Sequence, residues 1–553
     1  MLVLLLVLLI VPAVAAQTSS TTSAPKKEEC SIAGTVVKLA DSEPLRRARV
    51  ILWSADDRTR RISVLTDPAG HFKLKGIEPG HYHLNVNRAG FVAQEYGQKK
   101  PQDPGALLTL RSGQEMKDLL FRLIPSAVIA GKILDEDGEP LPEISVSALR
   151  QTYLEGKPSL VTEATAQTDD RGEYRLFGLS PGRYFVSAVV STWGRFSRGD
   201  EVEDAQPSQQ GYVKMYYPGT PDAAKATAIS IKEGEEIPSV EIFMRQVVVY
   251  RVRGHVYNQI THKAGAQTNI FLMPKTKSRE WGGGEQRSFV QKQDGSFELA
   301  DVLPGSYVLA AFWFDEGRSH TATIPIEVGN ADVEGVSIAI TPGSDVNGRI
   351  IWNGTPSLDQ DELSVMAESP DTLNFAGNAR VTSDNVFVIK GVGDGTYMAR
   401  VWGQGKDCYI KDVQYAGSSA LESGFAVKGG AAGTLEITVS SRGARVQGTV
   451  ADSDGLRAVG VRVVLVPEPS RRTQSTLFKE QTTDQYGHFE LRGIAPGDYK
   501  LFSWEEAESG AWEDPEFLKP FEGTGEKITL QEGDQKTINL TAIRTKSPES
   551  PKP

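Results

Sequence analysis

The sequence predicts an all-β chain, a tandem row of five antiparallel β-sandwich modules. Three observations carry this. A turn–strand–turn motif occurs three times in nearly full form and twice in worn form. A glycine-led strand start stands upstream of each copy. The 553 residues also include 54 glycines and 30 prolines, enough punctuation for many short strands.

The motif is clearest from Asp67 through Gly70, Phe72, Leu74, Gly76, Ile77, Pro79 and Gly80 to Tyr82. The same order runs from Asp169 through Gly172, Tyr174, Leu176, Gly178, Leu179, Pro181 and Gly182 to Tyr184. It returns from Asp484 through Gly487, Phe489, Leu491, Gly493, Ile494, Pro496 and Gly497 to Tyr499. The worn copies are Gly295, Phe297, Leu299, Pro304, Gly305 and Tyr307, with Lys292 in the Asp position, and Asn385, Phe387, Ile389, Gly391, Gly395 and Tyr397. Asp-x-x-Gly is a tight turn, because the carboxylate accepts backbone N–H bonds and glycine tolerates positive φ. The alternating Phe-x-Leu is a half-buried strand, Pro-Gly a second turn, and Tyr opens the next strand.

The upstream strand starts are Gly34-Thr35-Val36, Gly131-Lys132-Ile133, Gly254-His255-Val256, Gly348-Arg349-Ile350 and Gly448-Thr449-Val450, with glycines 94 to 123 residues apart. Closing strand pairs follow, as in Leu108–Leu110 with Leu119–Leu123 and Ile528–Leu530 with Ile538–Leu540. About seven short strands in roughly 100 residues is the scale of one sandwich, large enough to bury its own core. The predicted modules span 31–124, 127–245, 249–341, 344–440 and 444–544, the third and fourth being divergent. Linkers of a few residues predict a semi-rigid string.

The ends read differently. Leu2–Val11 is apolar and Pro12–Ala16 is rich in small residues, which predicts a signal peptide over 1–16 cut after Ala15 or Ala16. A flexible leader over 17–30 and a disordered tail over 545–553 are expected. The mature chain is expected to be exported, periplasmic or at the cell surface, with no transmembrane segment left after cleavage. A net charge of −11 argues against a nucleic-acid partner. With only Cys30 and Cys408, neither a disulfide framework nor a Cys-rich zinc site can be built.

Together with Gly138-Glu139-Pro140-Leu141, these motifs resemble the carboxypeptidase regulatory-like domain, which is similar in fold to transthyretin (prealbumin) and to carbohydrate-binding-like sandwiches. Gln94-Glu95-Tyr96-Gly97 and Tyr216-Tyr217-Pro218-Gly219-Thr220 resemble multi-module versions from exported bacterial proteins, those of Acidobacteria especially. The resemblance implies non-catalytic accessory modules and supplies no catalytic residue.

A search for chemistry agrees. The seven histidines include no His-Glu-x-x-His, and His81-x-His83 makes at most half a metal site. Gly391-Val392-Gly393-Asp394-Gly395 lies on the hairpin turn with no helix after it, so it does not predict a phosphate loop. Asp135–Gly138 and Asp452–Gly455 fall where a first turn is wanted and lack the later Glu of a calcium loop. No catalytic residue, metal or cofactor is expected, and the chain is not expected to be an enzyme.

Tryptophan offers the one candidate ligand site. Trp313, Trp402 and Trp504 follow Tyr307, Tyr397 and Tyr499 by five or six residues, near the far end of the same strand. In the last two the odd spacing turns Trp to the face opposite Tyr, where an indole could stack a sugar ring. A core role is the competing reading. Trp193, Trp281 and Trp512 stand in Gly- or charge-rich stretches and are expected outside the core. The expected function is non-catalytic binding or structural spacing at the bacterial envelope, with carbohydrate the preferred ligand class and polysaccharide or envelope proteins the expected partners. A protein–protein adhesion or stalk module and an accessory subunit of a peptidase or other enzyme are the alternatives.

Overall fold

The computed structural model describes residues 28–57, 59–154, 156–190, 210–275, 286–290, 293–315, 318–355, 363–369, 377–428 and 433–544. The expected signal peptide and tail, most of the leader, and Trp193, Trp281 and Lys292 lie outside them.

Within 31–124, the glycine-led strand Cys30–Lys38 is the centre of a three-stranded sheet. It runs antiparallel to His71–Ile77 and parallel to Glu115–Leu123. The facing sheet is ordered Arg61–Leu65, Arg49–Ser54, Gly80–Asn87, and the last of these also pairs with Gln94–Glu95 and Leu108–Leu110. Alternate residues of both sheets, among them Ile32, Val50, Leu74 and Leu84, meet in a buried core.

The same pairings recur along the chain. Ala127–Leu134, Tyr250–Asn258, Ser344–Asn353 and Ala444–Ala451 each pair antiparallel with their motif strand and parallel with a later strand. Opposite them, Ile144–Leu154, Asn269–Pro274, Ser364–Glu368 and Arg462–Pro467 pair with the strands opened by the second motif turn. Each of the six buried clusters among the described residues draws on a single predicted span, except that Cys30, expected in the flexible leader, opens the first strand and is buried with the first cluster. The chain is an all-β assembly of antiparallel-rich sandwiches.

The pairing explains why the two sequence signals travel together. The leading glycine is the cross-strand partner of the motif aromatic in every copy: Gly34 of Phe72, Gly131 of Tyr174, Gly254 of Phe297, Gly348 of Phe387, and Gly448 of Phe489. A Cβ at any of the five would lie within 2.7 Å of a carbonyl oxygen on or beside the parallel strand, which no side chain tolerates. The turns behave as the residue types require. Oδ1 of Asp67, Asp169 and Asp484 each accepts two backbone N–H bonds of 2.8–3.0 Å. The worn copies keep the left-handed backbone with the next-best residues, Asn385 at φ 61° and Asp301 at φ 57°. The motif tyrosines are pinned alike: Tyr82, Tyr184, Tyr307, Tyr397 and Tyr499 each donate to the carbonyl four residues earlier at 2.8–3.0 Å.

The semi-rigid string is corrected by contacts between spans distant in sequence. The span 444–544 touches 31–124, 127–245 and 344–440. Backbones of the first and last spans approach so closely that a Cβ on Gly460 would lie 2.1 Å from the Gly97 carbonyl oxygen. Short linkers limit reach between neighbours, but they do not prevent the chain from folding back.

Candidate functional site

The tryptophans fall into three different environments. In strand Gly497–Trp504, Tyr499 and Leu501 point into the core between the sheets, while Phe502 and Trp504 point to the outer face. That face is covered. The segment between this strand and Glu526–Leu530 folds into short helical turns whose Trp512, Phe517, Leu518 and Phe521 build a second apolar layer over it. Trp504 is 0% exposed, stacked on Phe502 at 4.9 Å with edge contacts to Phe517 and Phe521. Burial excludes it as a stacking platform, which corrects that expectation. Trp512, expected outside the core, is buried as well, with the Arg462 guanidinium 4.8 Å above its ring. Trp313 is half-buried against the core of its own span and lies 5.4 Å from the His320 ring, its cross-strand partner. Trp402 differs: it ends its strand 59% exposed. The structure therefore does not bring the three together, nor does it place them alike.

The other candidates are occupied by local structure. His83 stacks on its cross-strand partner Trp53 at 5.5 Å, and burial pushes its pKa down. His81 faces the Thr109 hydroxyl at 3.3 Å. Among the described residues no three His, Cys, Asp or Glu side chains gather as a metal site. Oδ1 of Asp135 and of Asp452 each accepts two backbone N–H groups in a turn. Gly391 N–H donates to Asp345 at 3.0 Å, and Gly393 supplies the carbonyl that holds Tyr397. Cys30 and Cys408 are buried in different spans and are not bonded to each other.

The convergent polar groups lie instead between spans. At the joint of the fourth and fifth, each side contributes a carboxylate to the other's cations. Asp407 accepts from Arg492 Nε at 2.7 Å and from Arg445 at 3.5 Å. Glu532 in return accepts from Ser440 Oγ at 2.5 Å, Tyr409 OH at 3.1 Å, Arg442 at 3.0 Å and Lys411 at 3.2 Å. The hydrogen bond from Arg492 lowers the Asp407 pKa, and those from Ser440, Lys411 and Tyr409 lower that of Glu532. Burial and the neighbouring carboxylate push the Tyr409 phenol up to about 12.

A second contact joins the first and fifth spans. Leu108–Leu110 is a sheet edge, and the motif turn of the fifth span caps it. The Gln485 side chain pairs with Thr109 as a strand would, accepting from its N–H at 3.0 Å and donating to its carbonyl at 2.7 Å. Thr109 Oγ1 donates to Asp484 at 3.3 Å, Gln114 donates to Tyr486 OH at 3.2 Å, and Arg111 lies over the Tyr486 ring. Thr482 Oγ1 donates to the Gly105 carbonyl at 2.9 Å, and Lys406 of the fourth span pairs with Asp56 of the first. Sequence reasoning missed these residues. The available signal was a difference between the full copies: Gln485-Tyr486 stands where the other two have Pro68-Ala69 and Asp170-Arg171.

With this geometry in place, the comparisons can be read. Residues 31–116 and 128–210 match the model of the carboxypeptidase regulatory-like domain. Two consecutive stretches of the chain are thus similar to that domain. Solved structures with similar stretches include the Bacillus anthracis TIE protein at 13% identity and a TM-score of 0.16, matched over 57% of this chain and 51% of that one. Others are a streptococcal ancillary pilin (14% identity, TM-score 0.19, 57% of this chain and all of that one) and GBS52, the minor pilin of Streptococcus agalactiae (12%, 0.22, 40% and 96%). The chain thus spans about half the length of the first of these. No curated protein matches. None of the described helices is long and apolar enough to cross a membrane.

Proposed function

We propose that the chain is an exported, non-catalytic structural or adhesion protein of the cell envelope, built from five sandwich modules at the boundaries given above. The observation that carries this reading is where the polar side chains are used. The repeated turn carboxylates close their own turns through Oδ1, and Gln485, Tyr486, Asp407 and Glu532 hold one module to another. A packed body with polar joints suits a scaffold that keeps a fixed shape while presenting its outer faces. The test is fractionation of cells expressing the full gene, combined with a peptidase and glycosidase screen of the purified chain. Recovery with the envelope and no turnover is the expected result. Turnover that survives repurification would overturn the non-catalytic reading.

Trp402 supports polysaccharide binding as a second reading, since an exposed indole presents a large apolar face with a polar N–H. Trp402→Ala should reduce retention on an immobilised polysaccharide and leave the melting curve unchanged. Equal retention of mutant and wild type would remove that reading and leave adhesion through protein surfaces.

A further inference from the structure

The fifth span carries a cleft that neither joint uses. Strand Gly497–Trp504 pairs with Glu526–Leu530 so that Lys500 stands opposite Lys527 and Asp498 opposite Thr529. The chain after Pro467 brings Glu468, Pro469 and Arg472 alongside, and with Tyr499 and Ile528 these enclose a cleft of about 200 Å³.

Its charges are sorted along the strands. Glu468 N–H donates to the Asp498 carbonyl at 3.1 Å, which places two exposed acidic side chains at one end. Two residues further on, about 7 Å away, stand the opposed lysines. Like charges directly across a sheet repel unless something neutralises them. Glu522 serves two cations of this group at once, taking Lys500 Nζ at 2.5 Å and Arg472 Nη1 at 2.6 Å. Exposed Lys527 has no ion pair among the described residues, and Arg472 Nη2, shielded from solvent, has no acceptor. At the acidic end Asp498 Oδ1 accepts the Thr529 hydroxyl at 2.5 Å, and the Glu468 carboxylate is exposed.

We propose that this cleft binds a uronic-acid unit of an acidic polysaccharide. The ligand's carboxylate lies toward Lys527 and Arg472. Its ring hydroxyls, about one ring width away, donate to Asp498 and Glu468, and the apolar ring face meets Pro469. A simple anion would satisfy the lysine end and be repelled at the other, whereas a neutral sugar would leave Lys527 uncompensated. The site is separate from Trp402 and does not depend on it.

The test is electrophoresis of the full chain through gels containing soluble polygalacturonate or a neutral β-glucan. At a net charge of −11 the chain is repelled by polyanions in general, so retardation reports a local site. Polygalacturonate is expected to retard the wild type, with about tenfold weaker retardation for Lys527→Glu and for Asp498→Asn. All melting temperatures are expected to be unchanged. Digalacturonate should compete. Absence of retardation, equal retardation of wild type and Lys527→Glu, or competition by acetate as strong as by digalacturonate would each overturn the proposal.

Discussion

Replacing Trp504 by alanine, and separately by phenylalanine, distinguishes a core indole from a binding one. The alanine change empties the centre of the second apolar layer, removing the stack on Phe502 and the edge contacts to Phe517 and Phe521. For a fully buried tryptophan such a truncation costs about 3–5 kcal/mol. The phenylalanine change keeps a ring there and deletes a buried Nε1–H that has no acceptor. An unsatisfied buried donor costs about 1–3 kcal/mol, so its removal offsets most of the lost ring volume and leaves a net change within about 1 kcal/mol. The sandwiches need not unfold together, so a single melting transition is the wrong readout. Hydrogen exchange of peptides covering 497–504 and 526–530 in the full chain is the right one. Exchange through local opening should accelerate by roughly 10²–10⁴ in Trp504→Ala and by less than about tenfold in Trp504→Phe. Unchanged protection in Trp504→Ala, together with lost polysaccharide retention, would refute the burial argument.

Three further outcomes are expected. Gly172 has φ 69° with a would-be Cβ 2.6 Å from the Ile133 carbonyl oxygen, so Gly172→Val should destabilise its sandwich by about 1–3 kcal/mol, checked by exchange over 173–179. Gly460→Val should drive the first and fifth spans apart, seen as a larger radius of gyration in solution scattering while the β-sheet signal in circular dichroism is retained. The carboxyls of Asp407 and Glu532 titrate below their usual range in the closed joint. Their contribution is therefore present at neutral pH and is lost as pH falls through those lowered values. Cross-linking between the fourth and fifth spans should weaken toward about pH 3 and hold steady from about pH 6 to 8.

Much of the fold could be read from one motif, because its residues are dictated by backbone geometry that tertiary context does not change. Asp-x-x-Gly became a turn with the carboxylate on two N–H groups, and Asn385 shows how a worn copy keeps the same φ. The leading glycine was visible as a marker, but its reason was not, since the carbonyl it avoids belongs to a strand about 80 to 110 residues away. The outer face of Trp504 followed correctly from period-two alternation. Its burial did not, because residues 505–525 have no counterpart in the motif and their covering role depends on how they fold back. Trp512 misled for a related reason: charge-rich surroundings suggested solvent, yet the Arg462 guanidinium lies over the ring and helps to cover it.

The joints have a physical logic of their own. A repeated turn that satisfies itself leaves little to bind with, yet Asp484 has a second oxygen. Oδ1 closes the turn as in the other copies, while Oδ2 accepts the Thr109 hydroxyl of another span. Beside it, one side-chain amide meets both backbone groups of Thr109 on an exposed edge, a place where an unpaired strand would otherwise invite pairing with a foreign chain. Two residues in the variable positions of the turn are thus enough to turn a local structural element into a docking element, with the sandwich beneath unaltered. The same reasoning applies at the cleft, where the strand register sets Lys527 against Lys500 and the inserted segment contributes a single carboxylate for both Lys500 and Arg472. In a chain of repeated sandwiches, specificity therefore arises where a variable side chain leaves a backbone edge or a charge for something outside its own module to complete.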